Sequence, residues 1–84
     1  MDAQELLIKV KRTNRITGNY DDDILLDLIE QVKFDLSGMG VKEEILNSPS
    51  SIGIIAQGVW EKDNLHQYSE DFKQNVYRIR ELGD

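Results

Sequence analysis

The chain has 84 residues and a mass of 9.7 kDa, room for one small domain and not two, since domains cluster at roughly 100–150 residues. Sixteen acidic against ten basic residues give a net charge of −6, the opposite of the basic face with which a protein neutralises duplex DNA. There is no cysteine, which excludes disulfides and thiolate metal sites, and no apolar run exceeds three residues, far short of a membrane span.

The first helical pattern runs from about Ala3 to Arg12. Asp2 is placed to cap it, with Glu5 at capping-box spacing, and Ala3, Leu6, Leu7 and Val10 form an i, i+3, i+4, i+7 stripe. Thr13 to Tyr20 breaks the pattern, with Gly18-Asn19 as the turn signal and Ile16 as a lone apolar residue expected to be pinned into the core. The basic cluster Lys9, Lys11, Arg12 and Arg15 has no interleaved aromatics. It reads as a solvated helix C-terminus, where cations complement the macrodipole, ahead of a nucleic-acid patch.

The acidic run Asp21-Asp22-Asp23 marks the start of a second helix, predicted over Asp22 to Ser37. Ile24, Leu25, Leu28, Ile29, Val32 and Leu36 recur on one face, and Gly38 is assigned the left-handed residue that follows the helix. A long connection from Gly38 to Ser50 follows. It is expected to pack partly through Met39, Val41, Ile45 and Leu46, with one helical turn near Lys42–Leu46, before Pro49 ends it. Ser50 or Ser51 would then cap a third helix, Ser51 to about Lys62, with a stripe of Ile52, Ile55, Ala56, Val59 and Trp60 and with Ile54 pointing elsewhere. Gly53 and Gly58 inside it suggest close approach of neighbouring backbone, so this helix is expected to be central. The last helix opens at Ser69, carries Glu70 and Asp71 in its first turn and Arg78 and Arg80 in its last, and offers Phe72, Val76, Ile79 and Leu82 to the core.

No segment combines strand alternation with hairpin turn chemistry. The fold class predicted is all-α: a single domain over residues 1–84, built as a compact bundle of about four helices with a long connection between the second and third. Nine Leu, nine Ile, five Val and two Phe exceed the roughly 20% below which chains tend to stay disordered. The acidic opening Met1-Asp2-Ala3-Gln4-Glu5 is unlike a signal peptide, so a soluble intracellular protein is expected.

Chemistry-bearing motifs are scarce. His66 is the only histidine and reads as a surface or capping residue; zinc sites want three or four N/S ligands. Counting an EF-hand loop from Asp21 puts Leu26 where glycine is needed and Val32 where glutamate is needed. No P-loop, GxGxxG or G-x-S-x-G sequence is present. A helix-turn-helix reading fails because the second and third helices are too far apart and Ser50-Ser51-Ile52-Gly53-Ile54 offers no cation to a base or phosphate. No cofactor, no metal and no enzymatic activity are expected. What remains is surplus apolar surface: Ile8 and Ile54 off the main stripes, and Trp60 with Tyr68 near one end.

Leu6-Leu7, then Val10-Lys11, a short polar stretch to Ile16, the acids Asp21–Asp23, and Leu25, Leu28 and Ile29 resemble the opening of the small tailed-phage head–tail connector proteins, also called adaptor or head-completion proteins. In that family "LL..VK..L.I" precedes "DD..L..LI". Ile52 to Asn64, with its Trp60-Glu61-Lys62-Asp63-Asn64 ending, is similar to the family's third helix, and Phe72 to Leu82 to its short final helix. Asn14 departs from the leucine usual there. The resemblance implies a structural virion protein of a phage or prophage, sited at the virion neck and in the host cytoplasm before assembly. It implies a homo-oligomeric ring, dodecameric in the virion, below the portal protein, with a tail-completion or stopper protein on its other side. DNA would pass through the channel without sequence-specific binding. Candidate subunit or portal contacts are Met39, Val41, Ile45, Ile54, Trp60 and Tyr68, with Trp60 alternatively a core anchor. Two other readings are a small acidic helical adaptor or inhibitor meeting one protein partner, and a small-terminase-like DNA-packaging component.

Overall fold

The structure, a computed structural model, describes residues 2–15 and 22–81. Five α-helices follow in order: α1 (Ala3–Thr13), α2 (Asp22–Gly38), α3 (Glu43–Leu46), α4 (Ile52–Asn64) and α5 (Glu70–Glu81), with a 3₁₀ turn at Pro49–Ser51 before α4. No strand occurs among the described residues, and the all-α bundle is established. Its Cα radius of gyration, 12.0 Å, equals the roughly 12 Å that a closely packed chain of this length should have.

Local chemistry accounts for three of the helix ends. Asp2 has extended backbone, and its Oδ1 accepts the Glu5 N–H at 2.8 Å, capping α1. Glu5 does not complete a reciprocal box with that carboxylate partner; its own carboxylate takes Lys9 Nζ at 3.0 Å along the helix surface. Ser69 Oγ accepts the Phe72 N–H at 3.2 Å at the head of α5. Asn14, the residue departing from the family pattern, closes α1 and donates its Nδ2–H to Ala56 O of α4 at 2.9 Å, tying the two helices together. The expectations for Ile16, Gly18-Asn19, Asp21 and Leu82 lie outside the described residues.

Two helix boundaries differ from the sequence reading. Gly38 is the last helical residue of α2, and the left-handed position belongs to Gly40, at φ +97°. Val41 N–H donates to Leu36 O and Gly40 N–H to Ser37 O, both at 3.0 Å, a six-residue closing loop in which buried Val41 meets buried Leu36. That apolar clasp decides the register, two residues beyond the first available glycine. Ser51 stands at the N-cap position of α4, but its side chain makes no capping bond. It is wholly buried, and its Oγ turns back to share its proton between Leu46 O at 3.0 Å and Ser48 O at 2.9 Å, stitching α3 to the 3₁₀ turn.

The core is one continuous cluster. α1 contributes Leu6, Leu7 and Val10, while Ala3 of its expected stripe is exposed. α2 contributes Leu25, Ile29, Val32 and Leu36, with Leu28 half-buried and Ile24 exposed. α5 adds Phe72, Val76 and Ile79. α4 packs against α1, α2 and α5 and is the central helix. Being enclosed on three sides changes its face pattern: Ile54, expected to point elsewhere, is buried with Ile55, Ala56 and Val59, whereas Trp60, expected on the stripe, is 49% exposed. Gly58 is where the bundle closes. A Cβ there would lie 2.7 Å from Val32 Cγ1 and 3.0 Å from the Phe72 ring, so α2 and α5 meet across a position that only glycine leaves open.

Candidate functional site

Two polar clusters hold the corner where α2, α4 and α5 meet. In the first, Asp35 of α2 accepts Lys62 Nζ at 2.7 Å and the Tyr68 hydroxyl at 2.5 Å. Tyr68 in turn stacks on Phe72, ring centroids 4.3 Å apart, with Lys62 Nζ 5.6 Å from its ring centre. In the second, Glu61 is buried on α4, yet its carboxylate accepts the Ser69 N–H at 2.6 Å, the Ser69 hydroxyl at 3.0 Å and Gln57 Nε2 at 2.9 Å. Gln57 Oε1 then accepts from Asn75 of α5 at 2.9 Å. The carboxylate thus holds the residue just before α5 against α4.

Burial alone would raise the pKa of both acids. Hydrogen bonds from Lys62 and Tyr68, with the Lys62 charge, outweigh it at Asp35; the Ser69 N–H, Gln57 and the Ser69 hydroxyl outweigh it at Glu61. Both carboxyls sit below their ordinary values. Tyr68 moves upward, from burial first and then from its bond to Asp35 and the charges of Asp35 and Glu61. General acid–base chemistry needs a group poised near the working pH. These groups are driven away from neutrality, each locked as acceptor or donor in a structural contact.

The other chemical candidates resolve similarly. Within the basic cluster, Lys9 pairs with Glu5 and Lys11 with Asp22 at 2.5 Å, so both lysines are engaged with carboxylates of this chain. His66 is exposed at φ +58°, immediately after Leu65, the C-cap of α4; it occupies a left-handed terminating position that glycine ordinarily takes. Arg15 does the same after α1, at φ +56°. Among the described residues no group of three or more His, Cys, Asp or Glu could hold a metal ion. No described helix is long and apolar enough to cross a membrane.

The six candidate contact residues separate clearly. Val41, Ile45 and Ile54, at 3%, 7% and 6% exposure, are spent inside the chain's own core and present no outward face. Met39 and Tyr68 are half-buried against that core. Trp60 alone projects, although α4 holds its backbone, and Asn64 Nδ2 reaches its carbonyl at 2.8 Å. Sequence reasoning missed the most exposed large apolar side chain among the described residues, Phe34 on α2 at 80%, and also Tyr77 on α5 at 57%. Phe34 had a signal: it lies two residues past Val32, roughly 200° round the helix from the buried stripe. Ile8, Ile24 and Leu65 are exposed as well. Comparison with protein families, with curated proteins and with solved structures finds no match.

Proposed function

We propose that this chain is a non-enzymatic subunit of a tailed-phage head–tail connector, assembling as a ring below the portal and lining the channel through which DNA passes. The observation that carries the reading is where the large apolar residues go. After a complete core has been filled, Phe34, Trp60 and Tyr77 still stand outward on three different helices, while every shifted carboxyl is engaged in holding helices together. Outward aromatics on a rigid frame suit contacts with other protein surfaces. The resemblance of Leu6-Leu7, Val10-Lys11, Asp21–Asp23, Leu25, Leu28 and Ile29 to the connector family supplies the class of partner.

Charge supports the same reading. A subunit at −6 repels phosphate, so DNA can slide past a ring of such subunits without adhering. The test is sedimentation and electron microscopy of the purified chain, alone and with purified portal rings. A ring bound to the portal is the expected result, with no DNA binding whose affinity falls with salt. A particle that ignores the portal and captures one soluble protein instead would favour the adaptor or inhibitor reading. Salt-dependent duplex binding would favour a terminase-like role, and substrate turnover would overturn all three.

A further inference from the structure

The exposed arc of α2 carries a knob. Asp27, Glu30 and Phe34 follow one another at spacings of three and four residues, so they share one outward strip, and all three are exposed. Phe34 therefore continues an acidic strip, Asp27 and Glu30, while Lys33 and Lys62 lie to its sides. On a different helix there is a matching recess. Between Met39, just beyond α2, and the Lys73–Arg80 stretch of α5 lies a cleft of about 270 Å³ lined by Met39, Lys73, Val76, Tyr77 and Arg80. Its floor is apolar, and its rim is cationic. Lys73, Tyr77 and Arg80 lie at i, i+4 and i+7 on one strip of α5, and the Arg80 guanidinium lies 5.6 Å from the Tyr77 ring centre. Lys73 reaches Glu70 at 3.5 Å, in an exposed pair of the kind that contributes little, and it can exchange partners readily. A cavity of about 150 Å³ already holds a benzene ring, so one phenyl group fits the recess with room to spare.

We propose that Phe34 of one copy seats in the Met39–Val76–Tyr77 cleft of the next, with Glu30 and Asp27 facing Lys73 and Arg80. The occupant is a second copy of this chain because charge selects it: Lys73 and Arg80, seven residues apart on α5, meet their complement in Asp27 and Glu30, which lead up to the exposed Phe34 along one strip of α2. Knob and recess use different residues, so each copy offers one of each and the contact is heterologous, the type that closes into a ring when its rotation permits. This deepens the connector reading and rests on it for the ring.

The absence of native cysteine makes the test direct. Phe34→Cys and Tyr77→Cys variants, mixed and mildly oxidised, should give the mixed disulfide at least about tenfold over either homodimer. Glu30→Lys and Lys73→Glu should each weaken self-association about tenfold, and the two variants mixed or combined should recover it. Phe34→Ala should melt as the parent does and fail to form rings on the portal. Equal amounts of all three disulfides, or homodimers alone, would overturn the pairing, as would portal-bound rings of Phe34→Ala, and in those cases the connector reading survives. Mixed disulfides from a protein that never binds the portal would keep the pairing and sink the connector.

Discussion

The two glycines of α4 stand five residues apart and have opposite environments. Around Gly58, Val32 and Phe72 come so close that no methyl group fits; around Gly53, nothing lies within 4 Å of where a Cβ would be. The side chains on their respective faces repeat the contrast: Val59, next to Gly58, is 2% exposed, and Trp60, two turns on from Gly53, is 49% exposed. One face of this helix is the point where three others converge, and the other is left for solvent or for contacts with other molecules. Glycine inside a helix therefore signals close approach only where the surrounding helices converge, and elsewhere it is merely weak helix.

That contrast can be attacked from its strongest side first. Phe72→Ala removes the ring that closes the bundle over Gly58 and should cost about 3–5 kcal/mol in chemical denaturation; a loss below 1 kcal/mol would mean that α5 is not docked as described. Gly58→Ala should destabilise by about 1–3 kcal/mol through overpacking, despite the gain of about 1 kcal/mol in helix propensity. Trp60→Ala should cost only about 1–2 kcal/mol, because half of the side chain is already in water, well short of the 3–5 kcal/mol of a buried anchor. Gly53→Ala should do the reverse of its partner and stabilise by up to about 1 kcal/mol, read as a raised melting temperature.

Acid titration probes the polar side of the same convergence. Asp35 and Glu61 have folded pKa values below their ordinary 3.8 and 4.5, so the native state holds their protons more weakly than the unfolded chain does. Their contribution is complete above those ordinary values and is lost as pH falls through the lower folded ones. The melting temperature should hold steady from neutrality to about pH 5 and then drop, and Glu61→Gln should flatten part of that drop. A profile unchanged by Glu61→Gln would show that the carboxylate does not support Ser69.

Where sequence reasoning failed, it failed for identifiable reasons. A 3.6-residue wheel finds the apolar face of α2 because that helix is covered on one side, and Leu25, Ile29, Val32 and Leu36 are all buried as expected. The same wheel misplaces Ile54 and Trp60 because α4 is covered by α1, α2 and α5, so that its burial is set by where the neighbours lie. Of the candidate contacts, Val41 and Ile45 were apolar residues in a long connection, and nothing local says whether such residues turn in or out. Gly38 and Ser51 carried the right chemistry for helix termini, but buried Val41 and the carbonyls of Leu46 and Ser48 offered better partners a few residues away.

The sequence by itself determined the helices, the caps at Asp2 and Ser69 and the inward stripes of α1, α2 and α5, because these follow from backbone hydrogen bonding and side-chain spacing within a few residues. Only the tertiary structure decided that Glu61 is buried yet satisfied, and that Gly58 is packed against Val32 and Phe72 while Gly53 is open. Each of those depends on distances between segments far apart in the chain, and no local propensity encodes them.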